Sequence, residues 1–302
     1  MNKITIIGTL AFDSIETPFG RVEKVMGGSA PFAGLAAKTK HVECAIVSVV
    51  GNDFPKNYLD ILSSKKIDIS EVQIDNSDKS FFWSGRYHDN MKNRDTLETQ
   101  VNVLANFNPK VPKNFSSSDI LVLGNLDPNV QLSIIDQFEN RPDFIMLDTM
   151  NFWMDNTLET LMKVISKVDL ICINDEEVLQ LSDCKDLNDG VNKILKMGPK
   201  FLIMKKGESG ATVYSNEERF NCGTYKVKNV IDPTGAGDSF AGGFAGFLAE
   251  RKNYSFQCMS DALIYANAVA SFCVEKFGVD NMLDISKSEI EERINFIKKH
   301  NK

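Results

Sequence analysis

Short apolar runs recur along the chain, and most are followed by a segment of helical period. Residues 3–8 (Lys3-Ile4-Thr5-Ile6-Ile7-Gly8) read as a buried strand ending at Gly8. Phe19 to Val25 alternates like an exposed strand, and Met26-Gly27-Gly28 then opens an Ala-rich helix. Cys44 to Val50 is a second buried strand. Its turn, Gly51 to Asp53, supplies a bend and a cap for a helix running through Leu62. From residue 119 the alternation becomes regular. Strand Asp119–Gly124 precedes a helix from about Asn129, and strand Phe144–Leu147 precedes helix to about Ile165. Strand Leu170–Ile173 precedes another helix, and Phe201–Met204 is a further strand. Thr212–Ser215 and Arg219–Tyr225 suggest a hairpin. Asp261 to Lys276 reads as a long helix stopped by Gly278, and residues 286–300 as a charged amphipathic one. Such strand–helix order predicts an α/β fold: three αβα layers around a mostly parallel sheet, with right-handed crossovers.

Residues 79–104 break this rhythm. Ser80 to Tyr87 and Leu97 to Leu104 read as strands, joined by a polar loop from His88 to Asp95. With residues 14–25 they predict a small separate sheet; an edge hairpin is the plainer alternative. The rest of the chain offers no linker, repeat or low-complexity tract, so residues 1–302 read as one domain.

Composition narrows the classes. Hydrophobic residues make up 43% and charged residues 25%, ordinary values for a globular protein. A net charge of −7 argues against a nucleic-acid or membrane-surface binder, and no apolar run is long enough to cross a bilayer. Six scattered cysteines without a Cys-x-x-Cys pair fit reduced thiols in a cytoplasmic protein. His41, His88 and His300 lack ligand spacing.

The chemistry concentrates in Asp232-Pro233-Thr234-Gly235-Ala236-Gly237-Asp238-Ser239, which opens a helix rich in Ala, Gly and Phe. Small residues before a helix aim free N–H groups at one point and stabilise an anion. An acid in that turn, Asp238, suits removal of a proton from an attacking hydroxyl while the turn holds charge on a phosphoryl group. A glycine loop with a capping Asp is the plainer reading of the same residues.

The string from Asp232 to Ala245 closely resembles the C-terminal signature of the ribokinase-like (PfkB) carbohydrate kinases. That resemblance implies that Asp238 is the catalytic base and that Gly235, Ala236 and Gly237 form an anion hole, with Thr234 and the glycines beside the nucleotide. It extends over nearly the whole chain in order. Asp13, shortly after the first strand, would bind substrate hydroxyls, and Gly27 and Gly28 would lie against the sugar. Phe32 stands where the family usually has a substrate-bonding Asn, which points to an altered or less polar acceptor. Residues 14–25 and 79–104 would form a lid over the sugar, with Phe82, Trp83 and Tyr87 excluding water. Asn174 and Glu177 match the Asn-x-x-Glu motif that organises Mg²⁺ and its waters, although acids here also suit a helix N-terminus. Lys205 and Gly207 fall in a turn that lines nucleotide phosphates, and Asn267 in the adenine-side segment, where a packed helix is the competing reading.

Two residues enter on position alone. Asn151 follows the strand ending near Asp148, on the side where α/β sites form. Arg86 could steady a polar substrate group or stay solvated. The reading is therefore an ATP- and Mg²⁺-dependent kinase of a sugar, with a nucleoside kinase as the nearest rival and a non-catalytic sugar or nucleotide sensor as a third. A monovalent cation is left open as a further activator. A monomer and a homodimer paired through lid strands both fit.

Overall fold

The computed structural model of the chain describes residues 2–301. In chain order the elements are β1 (Lys3–Ile7), β2 (Ala11–Thr17), β3 (Gly20–Gly27), α1 (Ser29–Ala37), β4 (Glu43–Gly51), α2 (Lys56–Ser64), β5 (Ile67–Asp75), β6 (Phe81–Tyr87) and β7 (Arg94–Gln100). There follow β8 (Ile120–Leu123), α3 (Pro128–Ile135), β9 (Phe144–Asp148), α4 (Asn151–Asn156), α5 (Leu158–Ile165), β10 (Leu170–Asn174), α6 (Asp175–Ser182) and α7 (Leu187–Leu195). The last third holds β11 (Phe201–Lys205), β12 (Ala211–Tyr214), β13 (Arg219–Cys222), α8 (Ala236–Arg251), α9 (Phe256–Cys273) and α10 (Lys287–His300).

Among the described residues, nine strands form one sheet in the order β13-β12-β11-β10-β9-β8-β1-β4-β5. It is parallel from β11 through β5, and β12 alone is reversed, pairing antiparallel with both β11 and β13. Its inner strands are mostly apolar because both faces are covered. Alternate residues serve two cores: Ile4, Ile6, Ile120 and Val122 face α1, α8 and α9, while Ile7, Leu121 and Leu123 face α3 and α5 to α7. Helix α8 packs on α1 almost backbone to backbone. A Cβ at Gly242 would lie 2.0 Å from the Ala33 carbonyl oxygen, so only glycine allows that approach. No helix among the described residues is long and apolar enough to cross a membrane.

A second sheet, in the order β3-β2-β6-β7, is built from the segments that follow β1 and β5. Both lead off the same end of the large sheet, so the small sheet stands beside its strand C-termini. Asp53 fixes this junction. It does not cap α2; its Oδ1 accepts from the Ser80 amide and hydroxyl at 2.8 and 2.7 Å, tying the exit of β4 to the entry of β6.

Other elements differ from the pattern-based expectation. β5 is an edge strand with a polar outer side, which hid it among turn residues. The helix expected to about Ile165 is two, broken at Thr157, whose φ of −142° is not helical. β7 starts at Arg94, inside the expected loop, and Asn102–Asn106 forms a 3₁₀ turn instead of strand. α9 starts at Phe256 behind a Ser255 cap and ends at Cys273, so Gly278 lies beyond it. That glycine, at φ +60°, donates its amide to Asp232.

Candidate active site

Asp238 sits half-buried in the first turn of α8, reached through a left-handed Gly235 at φ +78°. A Cβ on Gly235 would come within 2.5 Å of the Phe32 ring. The turn thus needs glycine for its dihedral and for the ring beneath it. The Ala236 amide donates to the Pro233 carbonyl at 3.2 Å. Of the three residues expected to form an anion hole, Ala236 thus spends its amide within the turn. Burial pushes the Asp238 carboxyl up to about 7, helped by the Asp148 carboxylate and opposed by Lys205.

Asp13 lies in β2, opposite Val25 of β3 and Trp83 of β6, and is buried. Its Oδ2 accepts from the Gly28 amide at 3.4 Å. Burial raises its carboxyl to about 7 as well, with Asp232 and Asp238 adding to the push. Two acids far apart in sequence thus act on each other's charge. Both glycines of the predicted turn are required there. A Cβ at Gly27 would lie 2.0 Å from Asp13 Oδ2, and Gly28 at φ +86° would press one against the Thr9 carbonyl oxygen at 2.4 Å. Thr9 and Ser29 lock the turn to the end of β1 through bonds of 2.9 and 3.1 Å.

Lys205, at the C-terminal end of β11, forms a 2.9 Å ion pair with Asp148 at the end of β9. Burial works against its charge, but Asp148 overrides that and holds the ammonium ionised. Its Nζ lies 3.4 Å from where a Gly237 Cβ would be, so a fixed cation stands beside the glycine turn of α8. Thr234 donates its amide to Asp232, and its hydroxyl meets Tyr87 OH at 3.2 Å, joining the small sheet to this turn. Gly207 opens an exposed 3₁₀ turn at φ +55°, and nothing lies within 4 Å of its Cβ position.

Asn174 and Glu177 form a capping box at the head of α6. Asn174 Oδ1 accepts from the Glu177 amide and Glu177 Oε2 from the Asn174 amide, each at 2.8 Å. Burial raises the Glu177 carboxyl, and Lys205 counters it. Among the described residues no cluster of three or more His, Cys, Asp or Glu could hold a bare metal ion. The donor set fits Mg²⁺ that keeps its waters and binds phosphates, with Glu177 Oε1 left to the hydration shell.

Four expected site residues are placed differently. Phe32 is only 1% exposed, packed under Gly235, and presents no face for stacking on a ligand. Arg86 alternates onto the far face of the small sheet from Asp13 and forms a bidentate pair with Glu16 at 3.0 and 3.2 Å. Asn151 is exposed at the head of α4, its Oδ1 accepting from the Phe152 amide. Asn267 is buried in α9, and its Nδ2 donates to the Leu263 carbonyl.

Sequence reasoning missed Arg94. It directly opposes Tyr87 in the β6–β7 ladder, so it shares the face of Trp83 and Asp13. Its guanidinium lies 5.5 Å from the Trp83 ring centroid, and its charge acts on Asp13, Glu177 and Asp238. Only the strand alternation of residues 94–100 could have pointed to it.

Comparisons with known proteins bear on the family and the fold. The family described as pfkB family carbohydrate kinase matches residues 1–286. A cytidine kinase of Thermococcus kodakarensis is 27% identical over 256 residues, 83% of this chain and 90% of that protein. The crystal structure of a Methanocaldococcus jannaschii nucleoside kinase superposes with a TM-score of 0.80 at 24% identity, covering 98% of this chain and 99% of that one. An E. coli protein described as a ribokinase II, solved with ATP and Mg²⁺, gives a TM-score of 0.77 at 21% identity over 99% and 100% of the two chains.

Proposed function

The chain belongs to the pfkB family of carbohydrate kinases, ATP- and Mg²⁺-dependent phosphotransferases with an alcohol acceptor, and from that premise we propose that Asp238 is its general base and a nucleoside its acceptor. The observation that carries the assignment of the base is its setting: an acid with its carboxyl near 7, in the glycine turn that heads α8. A base works best with a pKa near the working pH. Asp13, in the same pocket, accepts hydrogen bonds from acceptor hydroxyls and lines one of them up with the terminal phosphorus. Asp238 takes that hydroxyl's proton as the new O–P bond forms and the bond to the ADP oxygen breaks. The Gly235 and Gly237 amides, with Lys205 beside them, meet the charge on the transferring group. When bound, Mg²⁺ neutralises phosphate charge, and Glu177 and Asn174 would steady its water shell.

Trp83 supports the nucleoside over a free sugar, because it offers an aromatic face on the Asp13 side of the small sheet. The cytidine and nucleoside kinases among its relatives point the same way. A panel of nucleosides and free sugars with Mg·ATP, read as ADP release, tests both parts. Turnover confined to free sugars overturns the nucleoside assignment, and no turnover on any member overturns the kinase mechanism.

Three finer expectations follow from the same reading. The small sheet, within 14–25 and 79–104, acts as the lid of a single domain. A monovalent cation fits beside Asp232, a buried carboxylate held by the Thr234 and Gly278 amides at 2.9 and 3.2 Å. The β3 and β7 edges suit a lid-paired homodimer, against which a monomer is the alternative that sedimentation distinguishes. Six free cysteines suit the reducing cytoplasm.

A further inference from the structure

Between β13 and the glycine turn of α8 the chain runs as a strap, residues 223–231, in neither helix nor strand. Its ends are tied down from the last two helices. Asn301, just beyond α10, accepts from the Gly223 amide and donates to the Asn221 carbonyl, each at 3.0 Å. The Val274 carbonyl, just beyond α9, accepts from the Ile231 and Asp232 amides at 2.7 and 3.2 Å. Among the described residues, no backbone group from Thr224 to Val230 forms a hydrogen bond within the protein. Packing holds the middle instead, through Tyr225, which rests on the hydrophobic core. Its ring meets Phe296 of α10 edge-on, centroids 5.0 Å apart, and the Arg293 guanidinium lies 4.6 Å from its centre. Arg293 is itself fixed on α9. It lies 3.4 Å from the Phe272 ring centre and donates to Ser271 Oγ at 2.8 Å and Glu275 Oε2 at 2.6 Å. Its side chain is only 12% exposed.

We propose that Arg293, on the last helix, is a positioning residue for the nucleotide, holding the strap in place through Tyr225. The strap joins two turns that the kinase reading gives to the nucleotide. It leaves β13 beside the Gly207–Gly210 turn, where a Cβ on Gly210 would lie 2.0 Å from the Cys222 carbonyl oxygen. It ends in the turn from Thr234 to Asp238. A nucleotide held by both turns therefore has the strap along its flank. A segment without backbone hydrogen bonds swings unless packing fixes it, and ordering it at each binding event would weaken the nucleotide. The Arg293–Tyr225 contact supplies that order beforehand. Arginine suits the task, because a planar guanidinium stacks on rings while its N–H groups reach a hydroxyl and a carboxylate. The Thr234–Asp238 turn has its own supports, the Val274 carbonyl and the Asp232 carboxylate that accepts from the Thr234 and Gly278 amides. The clamp thus governs nucleotide affinity and leaves the chemical step to the turn.

The inference rests on the kinase reading above, and the test separates the two. Calorimetry would measure binding of ADP and of a non-hydrolysable ATP analogue, each with Mg²⁺, to the wild type, Arg293→Met, Tyr225→Ala and the double variant. Steady-state kcat and acceptor KM would be taken alongside. Methionine keeps the packing on Phe272 and removes the guanidinium. The expected result is a roughly three- to tenfold loss of affinity for both nucleotides in each single variant, the range for one cation–π contact. At saturating nucleotide, kcat and the acceptor KM should stay within about twofold. The double variant should lose little more than either single one, because both break one contact. Tyr225→Phe keeps the ring and should keep most of the affinity. Asn301→Ala frees only the start of the strap, leaves α9 untouched, and should weaken both nucleotides by a smaller factor. Should Arg293→Met fail to fold, Tyr225→Ala and Asn301→Ala carry the same test. Unchanged nucleotide affinity in the single variants, losses that add in full, or a kcat that falls in step with affinity overturns the positioning role. A wild type that binds neither nucleotide sinks the kinase reading itself.

Discussion

Gly27→Ala tests the part of Asp13 in the reaction by displacing its carboxyl without removing it. Gly27 ends β3 in ordinary strand geometry, so alanine adds no backbone strain. The added Cβ would instead fall 2.0 Å from Asp13 Oδ2 and 2.2 Å from its Cγ, closer than any real contact. Asp13 is 4% exposed, and a contact that close means its carboxyl must leave its position beside the Gly28 amide. An off-rotamer side chain costs about 0.5–1.5 kcal/mol, which lowers the melting temperature by a few degrees. Hydrogen bonds from acceptor hydroxyls to an ionised carboxylate contribute about 1.5–3 kcal/mol. Losing them should lower kcat/KM for the acceptor roughly 10–150-fold while KM for ATP stays within about twofold. Asp13→Asn should lose a similar amount, and the double variant little more than either, because both remove one interaction. Steady-state ADP release on an acceptor from the panel measures all three. A Gly27→Ala enzyme with wild-type kcat/KM, or a double variant whose losses add in full, would refute the route through Asp13.

Asp238→Asn should lower turnover by about 10²–10⁴-fold with nucleotide affinity little changed; near-normal kcat would remove it as the base. Wild-type activity should fall as pH drops through about 7, where Asp238 gains its proton. The stability effect has the opposite sign. A carboxyl raised from 3.8 to about 7 on folding binds its proton more tightly in the folded state, so its stabilising effect is full below about 3.8 and fades as pH climbs to 7. Asp238→Asn should therefore melt higher than wild type at pH 8, with the gap shrinking towards pH 5, as thermal scans would record. Lys205→Met leaves Asp148 buried without its cation and should cost about 3–5 kcal/mol, much of it regained by adding Asp148→Asn; chemical denaturation that shows no such recovery would dissolve the pair. Phe32→Asn should destabilise by about 3–5 kcal/mol, the scale of a large-to-small core change, without improving acceptor KM; an improved KM would mean that the ring was keeping out a polar contact.

The order of strands and helices was legible from the sequence alone. Strands covered on both faces must be apolar throughout, as in Ile4–Ile7, Ile120–Leu123 and Leu170–Ile173, and helices between them keep their period. The α8 turn was legible for a related reason. Its glycines, acid and helix lie in one unbroken run, so the local chemistry and the local chain are the same object. Edges and relations between distant segments were not. β5 and the start of β7 are strands because neighbours pair with them, and their own polar residues suggest turns. That Asp13 and Asp238 feel each other's charge, that Lys205 is pinned by Asp148, and that Arg94 rather than Arg86 shares the face of Asp13 all follow from tertiary structure. Sheet order and the way the small sheet stands over the strand ends set those neighbours. Phe32 is the plainest case: beside a predicted ligand turn an aromatic ring can stack on a substrate or fill the core, and only the approach of Gly235 from α8 decided that it fills the core.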